Sequence, residues 1–223
     1  MMIRRLLTRL LELFPEEPAP KDPAPSLPKE SLPAPAAPSR CSAVVLSDRA
    51  VSVIVSHTLA YDPEETGGIL LGWQKEGVCY VVEATDAGPN AFHSPHHMEM
   101  NEEYQNHVYP MLHGAYRHGV DLLGLWHRHP DSYDRFSPTD LATNAAYARS
   151  IGGTAVSMLV NLDPDLRLSC FFCQLNETGS LDICRVPVLV GSHHFRDTEL
   201  LEMAYPSRLP APVTNAPLCY PIP

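Results

Sequence analysis

The stretch that most constrains the fold of this chain runs from Leu122 to Asp140, LLGLWHRHPDSYDRFSPTD. Leu122, Leu123, Leu125 and Trp126 read as a short buried strand. It ends in His127 and His129, and Pro130 follows at once. Proline has no N–H to give to a ladder, so the strand stops there. A polar loop, Asp131 to Phe136, leads to Ser137-Pro138-Thr139-Asp140. Ser137 suits a helix N-cap and Pro138 the first helical position. The chain thus passes from buried strand to helix, and Asp140 on the first turn can swing back towards the strand end.

The same spacing carries chemistry. Residues two apart on a strand share a face, so His127 and His129 aim at one point without distorting the backbone. With Asp140 they make a three-ligand set of two imidazoles and a carboxylate, which leaves one coordination position of zinc open for water. Calcium and magnesium prefer oxygen alone, so this donor mixture favours zinc. The expectation is one Zn2+ per chain, in an open site of the kind that catalyses. H-x-H alone is a weak signal. Ser137 and Asp140 at fixed offsets, in strand–loop–helix context, make the composite strong.

A metal-activated water also needs a carboxylate outside the metal shell to take its proton. The candidates lie upstream, in Asp62-Pro63-Glu64-Glu65-Thr66-Gly67-Gly68-Ile69-Leu70-Leu71-Gly72. Glu65 just precedes an apolar strand that begins near Gly68 and that can lie beside the histidine strand. Glu64 competes with it, and spacing alone does not separate the two.

E-x-x-G-x-L-x-G together with H-x-H-x(7)-S-x-x-D resembles the JAB/MPN domain family in its JAMM form. Members of that form are zinc-dependent peptidases acting on ubiquitin and ubiquitin-like modifiers. The resemblance covers about residues 42 to 190, and Pro130 also matches the family's usual residue. It selects Glu65, because Gly68, Leu70 and Gly72 fall in register after it. It implies that His127, His129 and Asp140 bind zinc, that Glu65 is general base and then acid, and that Ser137 stabilises the oxyanion. The implied substrate is a ubiquitin-like protein or its conjugates, cleaved after the modifier's C-terminal tail, with E1- and E2-like enzymes as pathway partners. The compact core looks like the prokaryotic members, which serve sulfur-carrier processing and conjugation systems, some of them in anti-phage defence. The alternative is a non-catalytic MPN scaffold, a class that usually lacks part of the metal set. A zinc nucleobase deaminase needs H-x-E with a distant P-C-x-x-C; His127-Arg128-His129 is not H-x-E, and Cys170-Phe171-Phe172-Cys173 lacks the preceding proline. A RadC-like reading shares H-x-H-P but not the Glu65 motif.

Composition narrows the rest. The 223 residues carry 16 basic and 26 acidic side chains, against the basic footprint that nucleic-acid binding needs. The six cysteines are irregularly spaced and read as buried free thiols of a reducing cytoplasm. Cys170 and Cys173 have C-x-x-C spacing, but on a strand they face opposite sides and read as core. No apolar run reaches the roughly 20 residues of a transmembrane helix.

The expected organisation is an amphipathic helix over 1–14, a Pro-rich linker over 15–40, one domain over 41–200 and a Pro-rich tail over 201–223. Within the domain, strands are expected at Ser42–Leu46, Gly68–Trp73, Val78–Thr85, Thr154–Val160, Leu166–Cys173 and Leu181–Val190. Helices are expected at Arg49–Ala60, Asn101–His118 and Pro138–Arg149. On the second of these Tyr104, Val108, Met111, Leu112 and Tyr116 form one apolar face. The fold class is α/β; the resemblance implies a curved mixed sheet between helices, with the metal at its end. His93, His96 and His97 form a second histidine group, read as exposed loop residues near the substrate groove.

Overall fold

The structure, a computed structural model, describes residues 41–117, 119–130 and 133–195. The expected N-terminal helix, the Pro-rich linker and tail, and Cys219 lie outside the described residues. Ten strands and three helices follow in order: β1 (Ala43–Leu46), α1 (Asp48–Ala60), β2 (Gly67–Lys75), β3 (Val78–Ala84), β4 (Phe92–Ser94), β5 (His97–Glu99), α2 (Glu102–Ala115), β6 (Asp121–Arg128), α3 (Pro138–Ser150), β7 (Thr154–Asn161), β8 (Arg167–Leu175), β9 (Leu181–Val186) and β10 (Val188–Val190). A short 3-10 turn, Ser192–Phe195, follows. Among the described residues the strands and helices expected of the domain are present within a few residues, except the last strand.

Eight strands form one mixed sheet in the order β10-β1-β3-β2-β6-β7-β8-β9, and β4 and β5 form a separate hairpin. The run expected as one strand, Leu181–Val190, is two. Its first part pairs with β8 at one edge, and its second pairs with β1 at the other. Pro187 lies between them, without an N–H for a ladder, and its carbonyl accepts from Val44 N–H at 2.9 Å. Two edges joined by one residue require a sheet that curls until it nearly closes.

Both faces of the sheet are covered. Along β6, Trp126 enters a core with Leu46, Leu70, Val156, Met158 and α1's Ile54. Its neighbour Leu125 enters the other, with Ile69, Leu71, Ala155 and α3's Tyr147. This alternation is the strand period of two, and each large side chain so buried contributes about 1.5–3 kcal/mol. Cys170 and Cys173 fall in opposite cores, as a three-residue spacing on a strand requires. Four of the five described cysteines are buried and Cys184 is exposed; all five are free thiols.

The apolar face expected on α2 is buried only in part. Tyr116 is buried, Met111 is 53% exposed, and the one buried residue within the helix is a polar one, Gln105. Its amide accepts from Thr85 Oγ1 at 2.9 Å and donates to the Asp86 carbonyl at 2.6 Å. A buried amide with both ends satisfied anchors the helix where hydrophobic spacing gave no signal.

Two glycines let β2 run close to its neighbours. A Cβ on Gly68 would lie 1.9 Å from the Thr85 carbonyl oxygen, and one on Gly72 would lie 1.7 Å from that of Tyr80. The pairing of β2 with β6 then sets Gly67 opposite His127. This register brings the residues just before β2 to the end of the histidine strand.

Candidate metal centre

His127 and His129 project from the end of β6 on one face and are 6% and 8% exposed. Their Nε2 atoms are 2.9 Å apart. Asp140 Oδ1 lies 3.5 Å from His127 Nε2, and Asp140 Oδ2 lies 3.3 Å from His129 Nε2. Zinc bonds of about 2.0–2.1 Å in tetrahedral geometry place ligand atoms about 3.3 Å apart. The three edges match that triangle, so the donor set fits such an ion in size and in chemistry. Among the described residues no other group of three His, Cys, Asp or Glu side chains converges in this way.

The surroundings orient these ligands. His129 Nδ1 donates to the Tyr133 carbonyl at 2.9 Å. A proton held on Nδ1 is what frees the Nε2 of a histidine to ligate when a metal binds. Asp140 is fixed by a capping box at the start of α3: its Oδ2 accepts from Ser137 N–H at 2.7 Å, and Ser137 Oγ accepts from Asp140 N–H at 3.1 Å. Burial raises the Asp140 pKa, but hydrogen bonds from His127, His129 and the Ser137 N–H outweigh it, and its carboxyl is held well below the usual range. Burial lowers the His129 pKa, yet Asp140, the Tyr133 carbonyl and the charge of Glu65 raise it further, for a net upward shift.

Glu65 and Ser137 line one cavity of about 1110 Å³ with His127, His129 and Asp140. Glu64 does not line it, and its carbonyl instead accepts from Arg128 Nη1 at 2.7 Å. Of the two acids that spacing left open, Glu65 is the one that lines the cavity. Burial raises the Glu65 pKa, opposed by His127 and His129 and assisted by Asp140. The Glu65 N–H donates to the Ser94 carbonyl at 2.9 Å, and its own carbonyl accepts from His93 Nδ1 at 2.8 Å. The cavity is lined further by His96, His97 and Met98 of the hairpin and by Ala142, Thr143 and Ala146 of α3.

Two residues here escaped the sequence reading. Arg128, the middle residue of H-x-H, is 3% exposed and grips the Asp62 carboxylate as well as the Glu64 carbonyl. Its signal was the alternation itself, since a charge on the face opposite two buried histidines must find partners. The second histidine group lies on the β4–β5 hairpin, where His96 and His97 are exposed as expected and His93 is not. His93 is half-buried and His97 Nε2 contacts Glu99 at 3.1 Å.

A mixed, nearly closed sheet with a candidate metal centre, the His-His-Asp cluster, at its end defines an α/β domain. The chain belongs to the family of prokaryotic homologues of the JAB domain, which matches residues 47–169, more than half its length. It is 31% identical over 115 residues to a CD-NTase/cGAS isopeptidase of Enterobacter hormaechei, covering 47% of this chain and 61% of that protein. The chain thus spans less than two thirds of that relative. In fold it is similar to the solution structure of a protein from Desulfitobacterium hafniense, with a TM-score of 0.50 at 18% identity, covering 68% of this chain and 97% of that one. Among the described residues no helix is long and apolar enough to cross a membrane.

Proposed function

We propose that this chain is a zinc-dependent peptidase or isopeptidase that cleaves after the C-terminal tail of a ubiquitin-like modifier. The observation that carries this reading is the convergence of His127 Nε2, His129 Nε2 and Asp140 within 3.5 Å of one another, in a cavity that Glu65 and Ser137 share. Zinc held by these three residues supplies a Lewis acid that acidifies a water and polarises the scissile carbonyl.

The chain's own residues do the rest. The Glu65 carboxylate takes a proton from the attacking water and later delivers it to the leaving amine. The Ser137 Oγ accepts from Asp140 N–H, which leaves its own hydroxyl proton to donate to the developing oxyanion. The cavity lined by the hairpin and α3 suits an extended tail, and the small side chains of Ala142 and Ala146 leave room for its backbone. No cysteine nucleophile takes part. The name of the Enterobacter relative supports an isopeptide or peptide bond as the target. The proposed setting is a reducing cytoplasm, with E1- and E2-like enzymes supplying the conjugates.

The test is a ubiquitin-like protein with a fluorescent protein fused after its tail, incubated with the zinc-loaded chain. Cleavage at the tail, lost in Glu65→Gln, is the expected outcome. Binding of the fusion without cleavage would contradict the reading and favour a scaffold.

A further inference from the structure

His93 takes no part in the chemistry above, yet it touches the residue that does. It lies on β4, the first strand of the hairpin. Its Nδ1 sits 2.8 Å from the Glu65 carbonyl oxygen. A carbonyl oxygen only accepts, so Nδ1 carries the proton and donates. The Glu65 N–H donates at 2.9 Å to the carbonyl of Ser94, the next residue on the same strand. Glu65 is therefore held on both sides of its Cα by two consecutive residues of the hairpin.

The imidazole is itself backed. It stacks on Tyr61 with ring centroids 3.8 Å apart and planes 21° from parallel. Tyr61 is the C-cap of α1, and its N–H donates to the His57 carbonyl at 3.1 Å. Across the hairpin His93 pairs with Met98. Met98 crowds Gly67, where a Cβ would come within 2.7 Å of its methyl group. The hairpin face carrying His93 and Met98 thus packs on the segment from Glu65 to Gly67. The same hairpin lines the cavity through His96 and His97.

We propose that His93 is a positioning residue for Glu65. It fixes the peptide plane from which the carboxylate hangs, and it ties the base to the cavity wall that meets the substrate. This inference rests on Glu65 being the base. Without His93, the peptide on the N-terminal side of Glu65 keeps its bonds to Ser94 and Arg128, but the Glu65 carbonyl loses its histidine donor, and the residue can turn about its Cα. A misplacement of about 1 Å at a reacting group costs up to about 100-fold in rate. The loss falls on turnover rather than on binding, because His93 offers the substrate no contact in this arrangement.

The experiment compares wild type, His93→Ala and His93→Asn, the last of which restores a short N–H donor. Three quantities are read: zinc content by native mass spectrometry, kcat and KM on the fluorescent fusion, and hydrogen exchange of the peptide spanning residues 61–67. His93→Ala is expected to keep its zinc and a KM within about twofold, to lose about 10- to 100-fold in kcat, and to exchange faster over 61–67. His93→Asn is expected to recover most of both losses. A wild-type kcat in His93→Ala, or a His93→Asn as slow as the alanine variant, would overturn the proposal. Wild-type protein that binds zinc but cleaves no fusion would sink the proposed function instead. Hydrogen exchange then decides the anchor alone: faster exchange in His93→Ala, reversed by asparagine, upholds it, and unchanged exchange removes it.

Discussion

Two groups of histidines border the same cavity, and they do different things. His127 lies at the end of β6 and His129 just past it; they bring their Nε2 atoms to 2.9 Å and meet the Asp140 carboxylate within 3.5 Å. His93, His96 and His97 are also close in sequence, but a turn divides them. His93 pairs with Met98, while His97 pairs with Ser94 at the next position, so alternation sends the two rings to opposite faces of the hairpin. One donates to a backbone carbonyl and the other meets Glu99 on the surface. Convergence on one point, rather than the number of imidazoles, separates a metal centre from a set of polar contacts.

The largest effect expected on the metal side of this comparison comes from a residue that binds no metal. Glu65→Gln should keep zinc and fold and abolish cleavage of the fluorescent fusion; full activity would remove Glu65 from the role of base. Ser137→Ala should leave zinc bound and slow turnover by about two to three orders of magnitude. It should also lower the stability to thermal unfolding by about 1 kcal/mol, because the same oxygen caps α3. A wild-type rate with only the stability loss would reduce Ser137 to a cap. The smallest effect belongs to the hairpin: His96→Ala combined with His97→Ala should leave zinc content unchanged and shift mainly KM. Loss of zinc in that double variant would erase the contrast between the two histidine groups.

How far the sequence carried depends on where each residue's partners lie. The metal set was legible because its members follow one another through strand, loop and helix, so that local periodicity alone aims His127, His129 and Asp140 at one point. The choice of Glu65 over Glu64 came from resemblance through Gly68, Leu70 and Gly72. The structure explains the two glycines themselves, since a side chain at Gly68 or Gly72 would strike the carbonyl of Thr85 or Tyr80. The sequence concealed what depends on distant partners. Leu181–Val190 reads as one strand, and only the near-closure of the sheet divides it at Pro187 between two edges. Gln105 looks like a solvent residue until Thr85 and Asp86 are placed against it. His93 has no recognisable spacing to Glu65, because 28 residues of chain separate the two.

The central claim is that His127, His129 and Asp140 hold one metal ion, and native mass spectrometry of purified protein tests it most directly. Wild type beside Asp140→Ala should show one zinc and little or none, respectively. A wild-type protein that stays folded and takes up no zinc when supplied with it, or an Asp140→Ala variant with full zinc occupancy, would contradict the account.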